Sequence, residues 1–189
     1  MLSMKRSKVS NALMLASLLG VGAAMLSSAP AHAASPATAN LAVTASVAAN
    51  CTISTTAVAF GAYDPVVTNA STALNGNGTV TIACTKGSAP NVTMDLGANP
   101  SGSQRKMLIT GGGVDTLNYE LYHPSTTTTP STCSFPGSAV WGTAGAAIFT
   151  PAAPTSKTAR AFAVCGTVAS GQDVSVGSYQ DTIVATVNF

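Results

Sequence analysis

The chain has 189 residues, 46% of them apolar and only 7% charged, with a formal net charge of +2. Globular domains usually carry about a quarter of their residues as charges, so this surface must be built from Thr, Ser, Asn, Ala and Gly. No basic patch for nucleic acid is present, and two histidines leave little to build catalysis from.

The first element is an export signal over 1–33. Lys5, Arg6 and Lys8 form its basic head, residues 12–26 its apolar core, and Ala31-His32-Ala33 a small-x-small cleavage site, so the mature chain is expected to start at Ala34. A membrane anchor is the weaker reading, because the apolar run is shorter than the ~20 residues that span a bilayer. Without the signal, five basic face six acidic side chains, a net charge of about −1. Strands so poor in charge have lost a standard protection against edge-to-edge pairing.

Directly behind the signal, the segment 38–49 places Leu41, Val43, Ala45, Val47 and Ala49 on one face and Ala42, Thr44, Ser46 and Ala48 on the other. That period of two predicts a half-buried β-strand. It carries no charge and has no obvious place in its own fold, the character of a strand that pairs with another chain.

Further strands are predicted over 51–60, 78–84, 91–96, 106–110, 115–122, 140–149, 159–168 and 173–189, the last with a break near Gly177. Turns separate them at Asp64-Pro65, Asn75-Gly76-Asn77-Gly78, Asn99-Pro100, the glycines 111–113 and Ser170-Gly171. No helix is predicted. Many short strands at this spacing in one domain-sized chain define an all-β protein, a β-sandwich of the immunoglobulin-like kind. Two stretches, 125–136 and 151–157, read as exposed loops rich in Thr, Ser and Pro. Trp141 is expected as a core anchor and Asp64 as a turn former; the tyrosines 63, 119, 122 and 179 are expected to bond backbone, with Asp181 bonding Tyr179.

Cys51, Cys84, Cys133 and Cys165 in an exported chain imply two disulfides, for which three pairings are open. Pairing in chain order is favoured, since each bridge then closes a loop of about thirty residues and contributes about 4 kcal/mol by loop entropy. A metal site is not expected: no CxxC spacing exists and His123 stands alone in the mature chain. Catalysis is not expected either, for no GxSxG elbow accompanies that histidine and the six carboxylates mostly sit at turns. No cofactor is called for.

Several motifs occur together and in order. Val47-Ala48-Ala49-Asn50-Cys51-Thr52-Ile53-Ser54 is followed by Phe60-Gly61-Ala62-Tyr63-Asp64-Pro65 and Ile82-Ala83-Cys84-Thr85-Lys86-Gly87. Then come Arg105-Lys106-Met107, Leu117-Asn118-Tyr119-Glu120-Leu121-Tyr122, Trp141-Gly142, Gly166, Gly171-Gln172 and Gly177-Ser178-Tyr179-Gln180-Asp181-Thr182. Across essentially the whole mature chain the sequence resembles the spore coat protein U domain family, which includes subunits of archaic chaperone-usher pili of the Csu type. Two departures stand out: a long stretch between Tyr122 and Trp141 that holds Cys133, and Thr143 where the family often has an acidic residue.

The resemblance implies an incomplete immunoglobulin-like β-sandwich over 50–189 that lacks one strand. The gap would be filled first by a periplasmic chaperone and then by the donor strand of a neighbouring subunit, here the segment 34–49 with Leu41, Val43, Ala45 and Val47 pointing inward. Ile183, Val187 and Phe189 of the last strand are candidates for groove lining or chaperone contact, and Cys51 with Cys84 matches the family's disulfide. The function implied is that of a structural pilus subunit. It would be exported through the periplasm, added at an outer-membrane usher to copies of itself or related pilins, and serve attachment and biofilm formation. The alternative is a secreted coat or binding protein that fills its own groove and stays monomeric. The short link from Val47 to Cys51 disfavours it, since it leaves little chain for a turn back across the fold.

Overall fold

The computed structural model describes residues 36–135 and 137–189; the export signal expected over 1–33 lies outside them. The chain divides into a leading unit ending at Thr44 and a body, Ala45–Phe189. Residues 36–50 form no regular secondary structure, and Leu41, Val43 and Val47 are 87%, 86% and 85% exposed. The strand expected over 38–49 is therefore not formed in the single chain. A strand needs a partner to satisfy its backbone N–H and C=O groups, and without one water does so.

The body contains nine strands and one turn of 3-10 helix among the described residues. β1 (Cys51–Ala59), β2 (Leu74–Cys84), β4 (Arg105–Ile109), β5 (Thr116–His123), β7 (Arg160–Val168) and β8 (Tyr179–Gln180) form one antiparallel sheet in the order β1-β2-β7-β5-β4-β8. The short β6 (Ala139–Val140) pairs with the end of β5. A second sheet holds only β3 (Asn91–Met94) and β9 (Ala185–Asn188). The inner faces bury Val80 and Ile82 of β2, Val92 and Met94 of β3, Leu117, Tyr119 and Leu121 of β5, and Phe162, Val164 and Val168 of β7. Each set alternates with outward residues, as the pleat demands.

The turn expected at Asn75-Gly76-Asn77-Gly78 is instead part of β2, paired with β7 along its whole length. The glycines answer to space. A Cβ on Gly78 would lie 2.7 Å from the Thr56 carbonyl and 2.8 Å from Val58, one on Gly76 2.9 Å from Phe60, and one on Gly166 of β7 2.7 Å from both Val58 and Phe60. β1 is irregular between Thr56 and Ala59, and this shift turns Val58 and Phe60 inward across a trench of glycines.

The strand expected over 140–149 is also corrected. After β6 the backbone leaves β5, with Trp141 N–H donating to Leu121 O at 2.8 Å, and turns through the 3-10 segment Gly145–Ala147. It rejoins the other sheet, where Phe149 and Val92 exchange hydrogen bonds of 2.8 and 3.1 Å. This stretch steps from one layer to the other, and Trp141 sits at the step, fully buried, its Nε1–H donating to Val92 O at 2.9 Å. Its ring meets Phe149 edge-on at 5.3 Å, and Phe149 meets Phe162 at 5.1 Å. The last predicted strand, 173–189, survives only as β8 and β9, with an unpaired stretch between them.

Both disulfides pair in chain order, Cys51 with Cys84 and Cys133 with Cys165. Asp64 forms its turn, accepting the Val66 and Val67 N–H groups at Oδ1. Tyr63 and Tyr179 donate to backbone carbonyls of Ala169 and Ser175 as expected. Asp181 bonds Tyr119 rather than Tyr179, because Tyr119 comes up from the sheet floor beneath it.

Candidate functional site

Two strands of the body have a free edge on the same side. β1 is hydrogen-bonded only to β2, and β9 only to β3. Between them lies a groove of about 400 Å³. One rim is Thr55, Thr56, Ala57 and Val58 of β1; the other is β8 and the stretch behind it, Tyr179 to Ile183, with Ala185 at the start of β9. The floor is core, made of Phe60, Met94, Met107, Tyr119, Leu121 and Val164. Phe60 lies in the floor because the glycine trench admits it, edge-on to Tyr119 at 6.1 Å.

The far rim is set by two carboxylates. Asp181 Oδ1 accepts the N–H groups of Ala98 and Thr182, both at 2.9 Å, and the Asn99 amide at 3.3 Å, while Oδ2 accepts the Tyr119 hydroxyl at 2.8 Å. Asp95 Oδ1 accepts Gly97 N–H and Val184 N–H at 3.0 Å. Together they hold the loop 95–99 against the unpaired stretch 181–184. Burial, and then its hydrogen bond to Asp181, push the Tyr119 hydroxyl well above the usual tyrosine range, so it stays a donor. The polar groups at this end are thus consumed by one another. A small-molecule site presents convergent polar groups that are free; this groove presents apolar floor and two free backbone edges, the chemistry of a strand acceptor.

Beneath the floor, Arg105 is fully buried. Nε donates to Asp95 O at 3.0 Å and Nη2 to Asp95 O and Trp141 O at 2.6 and 2.5 Å, while Nη1 stands 3.5 Å from Glu120 Oε1. The last contact is an ion pair without hydrogen-bond alignment. Burial outweighs it and raises the Glu120 carboxyl above its ordinary range. Arg105 therefore ties β4 to the end of β3 and to the Trp141 step, joining the two layers under the groove.

Of the residues singled out from sequence, Ile183 lines the groove. Val187 is half-buried against the core, opposite Val92 in the β3–β9 pair, and Phe189 is 55% exposed at the chain end; neither is among the lining residues. Leu41, Val43, Ala45 and Val47 are exposed. The β1 rim was missed, although a signal existed: Ile53 is inward on odd numbering while Val58 and Phe60 are inward on even numbering, so a bulge had to lie between. The aspartate pair left no comparable signal. No cluster of three or more potential metal ligands occurs among the described residues.

A two-layer immunoglobulin-like β-sandwich with an open apolar groove beside its first strand is the class these features define. The Spore Coat Protein U domain model matches residues 37–186, and the chain belongs to that family. It is 31% identical over 187 residues to Protein U of Myxococcus xanthus, covering 88% of this chain and 92% of the relative. Among solved structures it shares its fold with a chain of the CsuC–CsuE chaperone–tip adhesion subunit pre-assembly complex from archaic chaperone-usher Csu pili of Acinetobacter baumannii. There the TM-score is 0.51 at 19% identity, covering 76% of this chain and 40% of that one. A looser likeness, TM-score 0.37 at 16% identity over 72% and 79% of the two chains, is to the E. coli Hda pilus minor tip subunit, HdaB.

Proposed function

We propose that this chain is a structural subunit of an extracellular chaperone-usher pilus. Its groove takes a donor strand, residues 38–47, from a neighbouring copy or related pilin, after a periplasmic chaperone has held the groove and an outer-membrane usher has passed the subunit on. The carrying observation is the pairing of opposites in one sequence: an apolar groove with two unpaired edges, and an uncharged alternating segment that has no sheet to join. Leu41, Val43 and Val47 each contribute roughly 1.5 to 3 kcal/mol on burial, and each new ladder hydrogen bond about 0.5 to 1.5 kcal/mol. The sum, on the order of 10 kcal/mol before ordering costs, rivals the stability of a whole domain.

The link favours a neighbour as acceptor. Thr85 holds the chain where it enters β1, its N–H donating to Asn50 O at 2.9 Å and its Oγ1 accepting Asn50 N–H at 3.1 Å. Only three residues separate Val47 from the disulfide-bound Cys51. The reading also accommodates export and a place on the bacterial surface, where such fibres mediate attachment and biofilm formation.

The test is a poisoned polymer. The double variant Leu41→Asp, Val43→Asp retains the groove and loses the donor face. Mixed with wild-type chain during assembly in the presence of chaperone, it is expected to shorten fibres in proportion to its share, measured by electron microscopy. Fibres of unchanged length that contain the variant at its input ratio would overturn the proposal. A wild-type chain that remains monomeric with 38–47 seated in its own groove would establish the self-complemented alternative.

A further inference from the structure

The insert between β5 and β6 has a role of its own. β7 is paired with β2 from Arg160 to Val168, but with β5 only from Cys165 to Val168. β5 ends at His123, which leaves the first half of β7 with an open edge. Residues 125–135 pass beside that edge. Ser131 Oγ accepts the backbone N–H of Ala163 at 2.7 Å, and Cys133 is bonded to Cys165. Both contacts span the same 32 residues in sequence, so Ser131 to Cys133 run alongside Ala163 to Cys165 in the same direction.

The burial pattern agrees. Core-facing residues of β7 are Phe162, Val164 and Val168, so Ala163 and Cys165 face outward, yet Cys165 is fully buried. Ser131 and Cys133 are half-buried, while every other described residue of 125–135 is exposed. Among the described residues of 125–135, the insert thus meets β7 through a hydroxyl and a disulfide, Ser131 on the uncovered half of the strand and Cys133 at its boundary with the β5-paired half.

We infer that Ser131–Cys133 is a disulfide-anchored guard over a second strand-accepting edge, keeping β7 from pairing with another copy of this chain. The need is physical. A sheet edge with a free N–H and few charges recruits strands, and this chain has few charges to deter them. A subunit built to offer one open groove must close its other openings, or joining becomes unselective. A side-chain cover satisfies the Ala163 N–H without presenting a new backbone edge, which an added strand would have done.

The test uses the mature chain in three forms: wild type, Ser131→Ala, and the double variant Cys133→Ser, Cys165→Ser. Amide hydrogen exchange at Ala163 is read against Val92, whose N–H bonds Phe149 on the other sheet. Ser131→Ala is expected to raise exchange at Ala163 by about tenfold or more and leave Val92 unchanged. The cysteine variant is expected to do the same and to self-associate in sedimentation. An excess of synthetic peptide covering 38–49 should not suppress that association, since it competes for the groove and not for β7. Unchanged exchange at Ala163 in Ser131→Ala overturns the inference, and so does association that the peptide abolishes. If the cysteine variant fails to fold, Ser131→Ala alone decides.

Discussion

The centre of the large sheet and its groove-facing rims are built from the same residue types under opposite rules. In the centre, β2 and the second half of β7 have a hydrogen-bonded neighbour on each side, and Val80, Ile82 and Val168 have no exposed surface. At the rims, β1 and β9 are each bonded on one side, and their inward residues Ile53, Val58, Ala185 and Val187 are only half-buried. The difference teaches where the fold satisfies its own strands and where it leaves them half-bonded. The centre is complete within one chain. The rims supply apolar surface and backbone groups that one chain leaves unused.

The comparison breaks most readily at the centre. Trp141→Ala removes the side chain that bridges the layers together with its bond to Val92 O, and is expected to cost about 3–5 kcal/mol in denaturant unfolding. A loss below 1 kcal/mol would mean that the layers cohere without the step.

Arg105→Ala is expected to cost a similar 3–5 kcal/mol, because it leaves Glu120 and the carbonyls of Asp95 and Trp141 without their partner. Its deficit should depend on pH with a definite sign. Glu120 in the folded state already takes up a proton more readily than the ordinary 4.5 because of burial. Protonation therefore favours the fold, and the native contribution declines as pH rises through the region above 4.5. Without Arg105 this tendency strengthens, so the deficit measured at pH 7 should shrink at pH 4. A deficit independent of pH would show that Glu120 is not the group left stranded.

At the rim, Ile183→Asp sharpens the contrast. Ile183 is half-buried and lines the groove, so the isolated subunit should lose about 1 kcal/mol or less, while affinity for a 38–49 peptide falls by at least about tenfold, or 1.4 kcal/mol. Equal losses in both measurements would make Ile183 an ordinary core residue.

The smallest effect belongs to the surface turn at Asp64. Hydrogen bonds from Val67 and Val66 hold its carboxyl below the ordinary 3.8. Its contribution is present above that value and lost as pH falls through the lowered one. Asp64→Ala should therefore be slightly less stable than wild type at pH 7, with melting temperatures converging below pH 3.8. A gap that widens on acidification would reverse the assignment.

Much of the centre was legible from sequence. Alternation in 80–84, 116–122 and 160–168 marks those strands because one face is buried and the other is not. Legibility failed where a residue served a neighbour rather than its own segment. Gly76 and Gly78 imitate a turn, but they are small to admit Val58 and Phe60. The run 140–149 has strand composition because both sheets bury parts of it, yet it crosses between them. Arg105 was invisible as a core residue, since nothing local announces that the carbonyls of Asp95 and Trp141 will converge on it. The segment 38–49 showed its pattern plainly, but in the single chain it joins no sheet. The groove itself could be expected only through the family resemblance, because an absent strand leaves no residues to read.

The central claim is that the groove between β1 and β9 accepts the 38–49 segment of another copy. The most direct measurement adds a synthetic 38–49 peptide to the mature chain and follows amide exchange at Val58 and Ala185. The account predicts saturable protection at both rims and a raised unfolding midpoint. No protection at either rim, or protection confined to another face of the body, would contradict it.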